Sequence, residues 1–186
     1  MPDHDPSSPG PLRLHIGGTA PKEGWRILNI QPGPHVDFVG TATDLSAFAD
    51  GTVDEVYGSH IYEHLSYNDE VMRALAEVFR ILRPGGVFMV GVPDLDVLCQ
   101  LFVHPQLTRE EKYNVMRTIY GGQTDPFDFH KGGYNFDILG EFLFAAGFRE
   151  ISRVEKFGLF DDTTALDFAG ISISLNVRCV KPPGPK

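Results

Sequence analysis

The chain has 186 residues, 42% of them hydrophobic, which suffices for one domain with a sizeable core and is too short for two ordinary ones. Its formal net charge of −9 excludes a broad phosphate-binding surface, because nucleic-acid affinity rests on clustered Lys and Arg, and it favours a small-molecule substrate. No apolar run approaches the roughly 18 residues of a membrane span, and MPDHDPSSPGP lacks the basic and hydrophobic regions of a signal peptide, so a cytoplasmic protein without membrane or nucleic-acid partners is expected. Cys99 and Cys179 lie in apolar stretches without metal-ligand spacing and read as buried thiols.

Residues 1–11 carry four prolines among Ser, Gly and Asp and are expected to form a disordered tail, with residues 12–181 as the domain and 182–186 as a second tail. Leu12–Ile16 is a strand running into Gly17-Gly18, and Arg26–Ile30 is a second, with Trp25 at its entrance. Between them lie only about nine residues, fewer than the dozen or more of an ordinary parallel crossover, so the intervening helix must be lost. The same holds before Val36–Val39, where Gln31-Pro32-Gly33-Pro34-His35 forbids a helix. The N-terminal half is therefore abridged. Asp44 to Phe48 is expected to form a short helix before the turn at Asp50-Gly51.

The central stretch is the best defined. Val53–Tyr57 and Val87–Val92 read as buried strands around a helix in which Val71, Leu75, Val78 and Leu82 recur at helical spacing. Ser66 and Asp69 can cap this helix, and Pro84-Gly85-Gly86 ends it. Strand, helix and strand make a right-handed crossover, so the two strands should be parallel. Val97–Phe102 is a further helical run, Thr108 and Glu111 spell a capping box for a helix to Tyr120, and GGQTDPFDFHKGGYN is a long aperiodic loop. Asn135 can cap a helix that turns Ile138, Leu139, Phe142, Leu143 and Ala146 to the core and stops at Gly147. Glu150–Phe157 and Ile171–Val180 read as closing strands.

The run YGSHIYEHL, then a helix, RILRPGG, an apolar strand and VPDLD, together with Leu14–Gly18 and Gly24-Trp25, resembles the compact bacterial class I S-adenosylmethionine-dependent methyltransferases, from about Leu12 to Asp96. The resemblance implies a single Rossmann-like α/β domain, with a mostly parallel twisted sheet, an abridged N-terminal half and a C-terminal antiparallel strand pair. It implies S-adenosylmethionine as cofactor and methyl transfer to a small acceptor, a sugar or secondary metabolite hydroxyl. By the same resemblance Gly17 and Gly18 contact the methionine end of the cofactor, and His15 stands where the family has Asp or Asn. Asn29 replaces the acidic residue that meets the ribose diol, and Asp44 with Leu45 stands beside the adenine. Asp44 could equally cap the following helix.

Open α/β sheets bind ligands beyond the carboxyl ends of their strands, and there the chain places Ser59, His60, Glu63, His64, Asp94 and Asp96. His60 is read as a cofactor contact, and His64 as a general base, since an imidazole titrates near neutral pH. Helix capping is the alternative for His64 and Glu63. His130 is a second catalytic candidate, with Asp128 beside it and Phe127, Phe129 and Tyr134 as pocket wall. No metal is expected; Mg²⁺ on Asp161, Asp162, Asp94 and His130 is the variant that the acidic residues allow. The shortened first half and the missing acidic residue also suit a catalytically degenerate domain that binds a protein partner. A nicotinamide enzyme is disfavoured because no G-x-G-x-x-G follows the first strand.

Overall fold

The computed structural model describes residues 10–168 and 170–184; the expected tail at residues 1–9 and the end of the second tail, 185–186, lie outside them. Among the described residues nine strands and four α-helices follow one another as β1 (Arg13–Ile16), β2 (Trp25–Asn29), β3 (Phe38–Val39), β4 (Val53–Ser59), α1 (Glu70–Ile81), β5 (Leu82–Pro93), α2 (Leu95–Val103), α3 (Arg109–Tyr120), α4 (Phe136–Ala145), β6 (Arg149–Val154), β7 (Asp167–Phe168), β8 (Ile171–Ser172) and β9 (Ser174–Val180). Seven of the strands form one sheet in the order β3-β2-β1-β4-β5-β9-β6. Neighbours from β3 to β5 pair in parallel, and β9 runs antiparallel to both β5 and β6. The mostly parallel sheet with a C-terminal antiparallel pairing is thus as expected.

The central crossover forms with two changes. Leu82 leaves the helix and pairs with Val53 as the first residue of β5, so Pro84-Gly85-Gly86 lies inside an irregular strand end. Asp69 is the residue at the N-cap position, but its side chain caps nothing; Glu70 reaches back and its Oε2 accepts the Ser66 amide at 2.7 Å. The other end of α1 is closed by a distant residue: the Lys181 ammonium donates to the Phe79 and Leu82 carbonyls, both at 2.7 Å. Such carbonyls have no intrahelical partner, and a cation suits the negative helix end.

No helix forms among the described residues before Glu70 apart from a 3₁₀ turn at Tyr62–His64. In place of the helix expected over Asp44–Phe48, residues 41–48 make a pair of turns. They are held from α1: Glu77 Oε2 accepts the Leu45 amide, and Arg80 donates to the Leu45 and Phe48 carbonyls and to Asp50. The third strand shrinks to Phe38–Val39 because Asp37 turns its carboxylate to the Ile27 amide. At the other end, the long closing strand divides at Ile173 into β8, which pairs with β7, and β9. Capping by Thr108–Glu111 and by Asn135 is as the sequence suggests.

Two apolar layers flank the sheet. One side carries α1 and α4, packed through Val71, Leu75, Val78, Leu139 and Leu143 onto Leu14, Ile16, Val56, Phe88 and Val90. Ile138, expected in that core, is 41% exposed. On the other side Trp25, Tyr57 and Met89 are covered by Phe157, Leu159 and Phe160 from the segment after β6. Cys179 is buried as expected, whereas Cys99 is exposed on α2.

Candidate functional site

The carboxyl ends of β1, β2, β3 and β4 converge on one cavity of about 400 Å³, within the range of small-molecule sites. Ile16 and Gly17 come from the end of β1 and the turn after it, Asn29 and Ile30 from the end of β2, Gly40, Thr41 and Ala42 from the segment after β3, and His60, Ile61 and His64 from the turn after β4. Pro126, Phe127, Phe129 and Lys131 close it from the loop between α3 and α4.

The backbone at Gly17 makes the floor. Its φ of +79° lies in the left-handed region, and a Cβ there would stand 1.9 Å from Ile61 Cδ1. Gly18 does not line the cavity; a Cβ on it would stand 2.5 Å from His15 Nδ1, so this glycine makes room for the imidazole. His15 is directed away from the cavity, onto the opposite sheet face, where it stacks on Phe160 with ring centroids 4.1 Å apart. Burial there, opposed by Asp162, lowers its pKa to about 4. Of His15, Gly17 and Gly18, the residues read as cofactor contacts at the end of β1, only Gly17 reaches the cavity.

Asn29 lines the cavity, yet its amide is engaged. Its Nδ2 donates to the Gly17 and Gly18 carbonyls at 3.1 and 3.0 Å, and its Oδ1 accepts the Gln31 amide at 2.9 Å. It thus clamps the glycine turn to the end of β2. Asp44 and Leu45 stand outside the cavity: Leu45 is fully buried core, while Asp44 is exposed and accepts the Ser46 amide. Thr41 and Ala42, three residues earlier, occupy the wall instead.

His60 does line the cavity. Its φ of +51° is strained for a residue with a side chain, and its Nε2 meets Ser174 Oγ at 3.0 Å. Burial, with help from His130, lowers its pKa to about 4. Behind it stands Glu63, 1% exposed and with neither carboxylate oxygen hydrogen-bonded. Burial pushes its pKa up to about 8. Its contacts with His60 Nδ1 at 3.4 Å and His130 Nε2 at 4.0 Å are therefore meetings of neutral groups near neutral pH rather than ion pairs.

His64 and His130 are brought together from opposite ends of the fold, with ring centroids 4.7 Å apart and rings nearly perpendicular. His64 faces the cavity, its Nδ1 buried without a partner; His130 sits behind it, outside the cavity wall. Burial lowers both pKa values, so both rings hold a free lone pair at neutral pH. Neither caps a helix. Asp128 stays anionic, accepting from Thr124 and Gly122 within its own loop. Phe127 and Phe129 form wall as expected, whereas Tyr134 is core.

The acidic residues weighed for Mg²⁺ are not assembled. Asp94 caps α2 and pairs with Arg153, and Asp162 accepts the Tyr57 hydroxyl at 2.7 Å on the far sheet face. Glu70, pinned by Lys131 at 3.0 Å, and Ile61 are wall residues that sequence reasoning missed. Ile61 sits between the two histidines of HIYEH, where the strand-end position alone could have singled it out.

Residues 23–90 match a family model described as a methyltransferase domain, a match that begins beyond the glycine turn and ends within β5. The fold is similar to an S-adenosylmethionine-dependent methyltransferase from Archaeoglobus fulgidus, at 15% identity over 92% of this chain and 86% of that one, with a TM-score of 0.59. It is similar also to an S-adenosylmethionine-dependent methyltransferase from Thermotoga maritima, at 20% identity over 94% and 84%, TM-score 0.56. A possible exported protein from Bordetella parapertussis aligns at 10% identity and TM-score 0.57 over 94% of this chain, which spans 62% of that protein's length. No curated protein matches. These likenesses show the Rossmann-like fold of class I methyltransferases.

Proposed function

We propose that the chain transfers a methyl group from S-adenosylmethionine to a hydroxyl of a small acceptor, a sugar or secondary metabolite. One observation carries this reading: four neighbouring strand ends, including the glycine turn, meet in a single cavity that His60 and His64 line. The cofactor supplies an electrophilic methyl on a sulfonium, and the protein's part is to align it with the acceptor oxygen. Gly17 offers a backbone surface without a side chain for the methionine portion. Asn29, Ile30, Thr41 and Ala42 form the nucleoside side of the cavity, and His60 borders the reacting end. His64, backed by His130, activates the acceptor hydroxyl.

Titration calorimetry with S-adenosylmethionine and S-adenosylhomocysteine tests the first step, and micromolar binding of both is expected. His64→Ala should then lower formation of S-adenosylhomocysteine, over a panel of small hydroxylated acceptors, by about 10²-fold with cofactor affinity nearly intact. Asn29 favours a second reading, because its amide is spent on the glycine turn and no carboxylate stands at the end of β2. Absence of binding by either ligand would leave that one, a methyltransferase fold that serves as a protein-binding module.

A further inference from the structure

We propose that Glu63, His64 and His130 form a binding site for a first-row divalent transition metal ion such as zinc or cobalt. One ligand atom from each residue lies within 4.8 Å of the others, and Glu63 Oε1 is 4.0 Å from His130 Nε2. Ligands about 2.0–2.2 Å from a zinc ion stand roughly 3.3 Å from one another, so the side chains need to close in by up to about 1.5 Å. His60, with Nδ1 3.4 Å from Glu63 Oε1, is at hand as a fourth ligand.

A second, independent observation points to an absent partner. Both Glu63 oxygens and His64 Nδ1 are buried and make no hydrogen bond, although buried polar groups in proteins are nearly always paired. One cation would satisfy all three atoms. The arrangement is also braced: the Glu63 carbonyl accepts the amides of Lys131 and Gly132 at 2.7 and 3.0 Å, which fastens the loop carrying His130 to the turn carrying its partners.

Two imidazoles and one carboxylate suit zinc, cobalt, nickel, iron or manganese better than magnesium or calcium, which take all-oxygen shells. Because His64 lines the cavity, an acceptor oxygen could take an open coordination position of the ion, which would then activate the hydroxyl in place of the free His64 imidazole. That role rests on the methyl-transfer reading; the binding of metal does not.

The test is titration of the chelator-stripped full chain with Co²⁺, followed by its visible ligand-field absorption, and with Zn²⁺ by calorimetry. One equivalent should bind, with affinity lowered at least about tenfold in both Glu63→Gln and His130→Asn. If Glu63→Gln fails to fold, as judged by circular dichroism, His130→Asn decides alone. Absence of binding by the native chain, or unchanged affinity in the variants, overturns the proposal. Cofactor titration of the metal-free protein separates the two readings: metal binding without cofactor binding retains this site and removes methyl transfer, and the converse result removes the site.

Discussion

At Gly17 one side chain's worth of space separates a working turn from a blocked one. The glycine combines φ of +79° with a clash at 1.9 Å against Ile61, so Gly17→Ala meets two independent penalties. The backbone alone costs roughly 1–2 kcal/mol for an L-residue in the left-handed region. The backbone part alone lowers the Tm by about 2–8 °C, at the 2–4 °C per kcal/mol of a domain this size, and the clash adds to that. The steric part is separable, because Ile61→Ala removes the clashing atom. Gly17→Ala combined with Ile61→Ala should therefore be less destabilised than the sum of the single changes by about 1 kcal/mol. Strict additivity in thermal melts would show that Ile61 relaxes freely and that only the backbone matters. That Gly17, His60 and His64 lie at the cavity was legible from the sequence, because each follows a strand end. The positions of Asp44 and Leu45 outside the cavity were not, since the turns that set them are held by contacts distant in sequence.

The missing helix is replaced at the level of elements by a network from α1. Glu77 and Arg80 project from its flank to hold the turns around Leu45 and Phe48, supplying hydrogen bonds that a helix would have made within itself. Leu45 is fully buried, so Glu77→Ala leaves its amide without a partner, at a cost of about 1–3 kcal/mol. Glu77→Gln keeps an acceptor oxygen and should cost less. Hydrogen bonding from Arg80 holds the Glu77 carboxyl below its ordinary pKa. Its charge thus favours the folded state above the unfolded value near 4.5, and this contribution is lost as pH falls below 4.5 toward the folded value. The Tm gap between native protein and Glu77→Gln should accordingly narrow in that acid range and stay constant from pH 6 to 8. A gap independent of pH down to complete protonation would mean that the charge is screened by water and that geometry alone counts. None of this was legible in a linear reading: DLSAF has helical residues, but its amide partner lies 32 positions away. By contrast the helices capped by Thr108 and Asn135 were readable, because each cap lies within three residues of its partner.

Across the whole molecule the same economy leaves one face of the sheet without an N-terminal helix to cover it. α1 and α4 both pack on the cavity side, through the large core. The far face, bearing His15, Trp25, Tyr57 and Met89, is closed instead by Phe157, Leu159 and Phe160. The Tyr57 hydroxyl ties that cover down, donating to Asp162 at 2.7 Å within a contact that also includes Thr164. Phe160 is the common contact, with ring centroids 4.1 Å from His15, 5.3 Å from Trp25 and 5.1 Å from Tyr57. It is half-buried, so Phe160→Ala should cost less than the 3–5 kcal/mol of a fully buried ring, about 1–3 kcal/mol. Trp25 is the chain's single tryptophan and is 8% exposed, which makes its fluorescence a local reporter. In the variant its emission should shift to longer wavelength, and limited proteolysis should cut within residues 155–166. Ligand affinity at the cavity, on the other side of the sheet, should change by less than about threefold, since distant sites act additively. Loss of the cavity's affinity together with the Trp25 shift would instead mean that this cover sets the position of the β1 end, and with it the Gly17 turn.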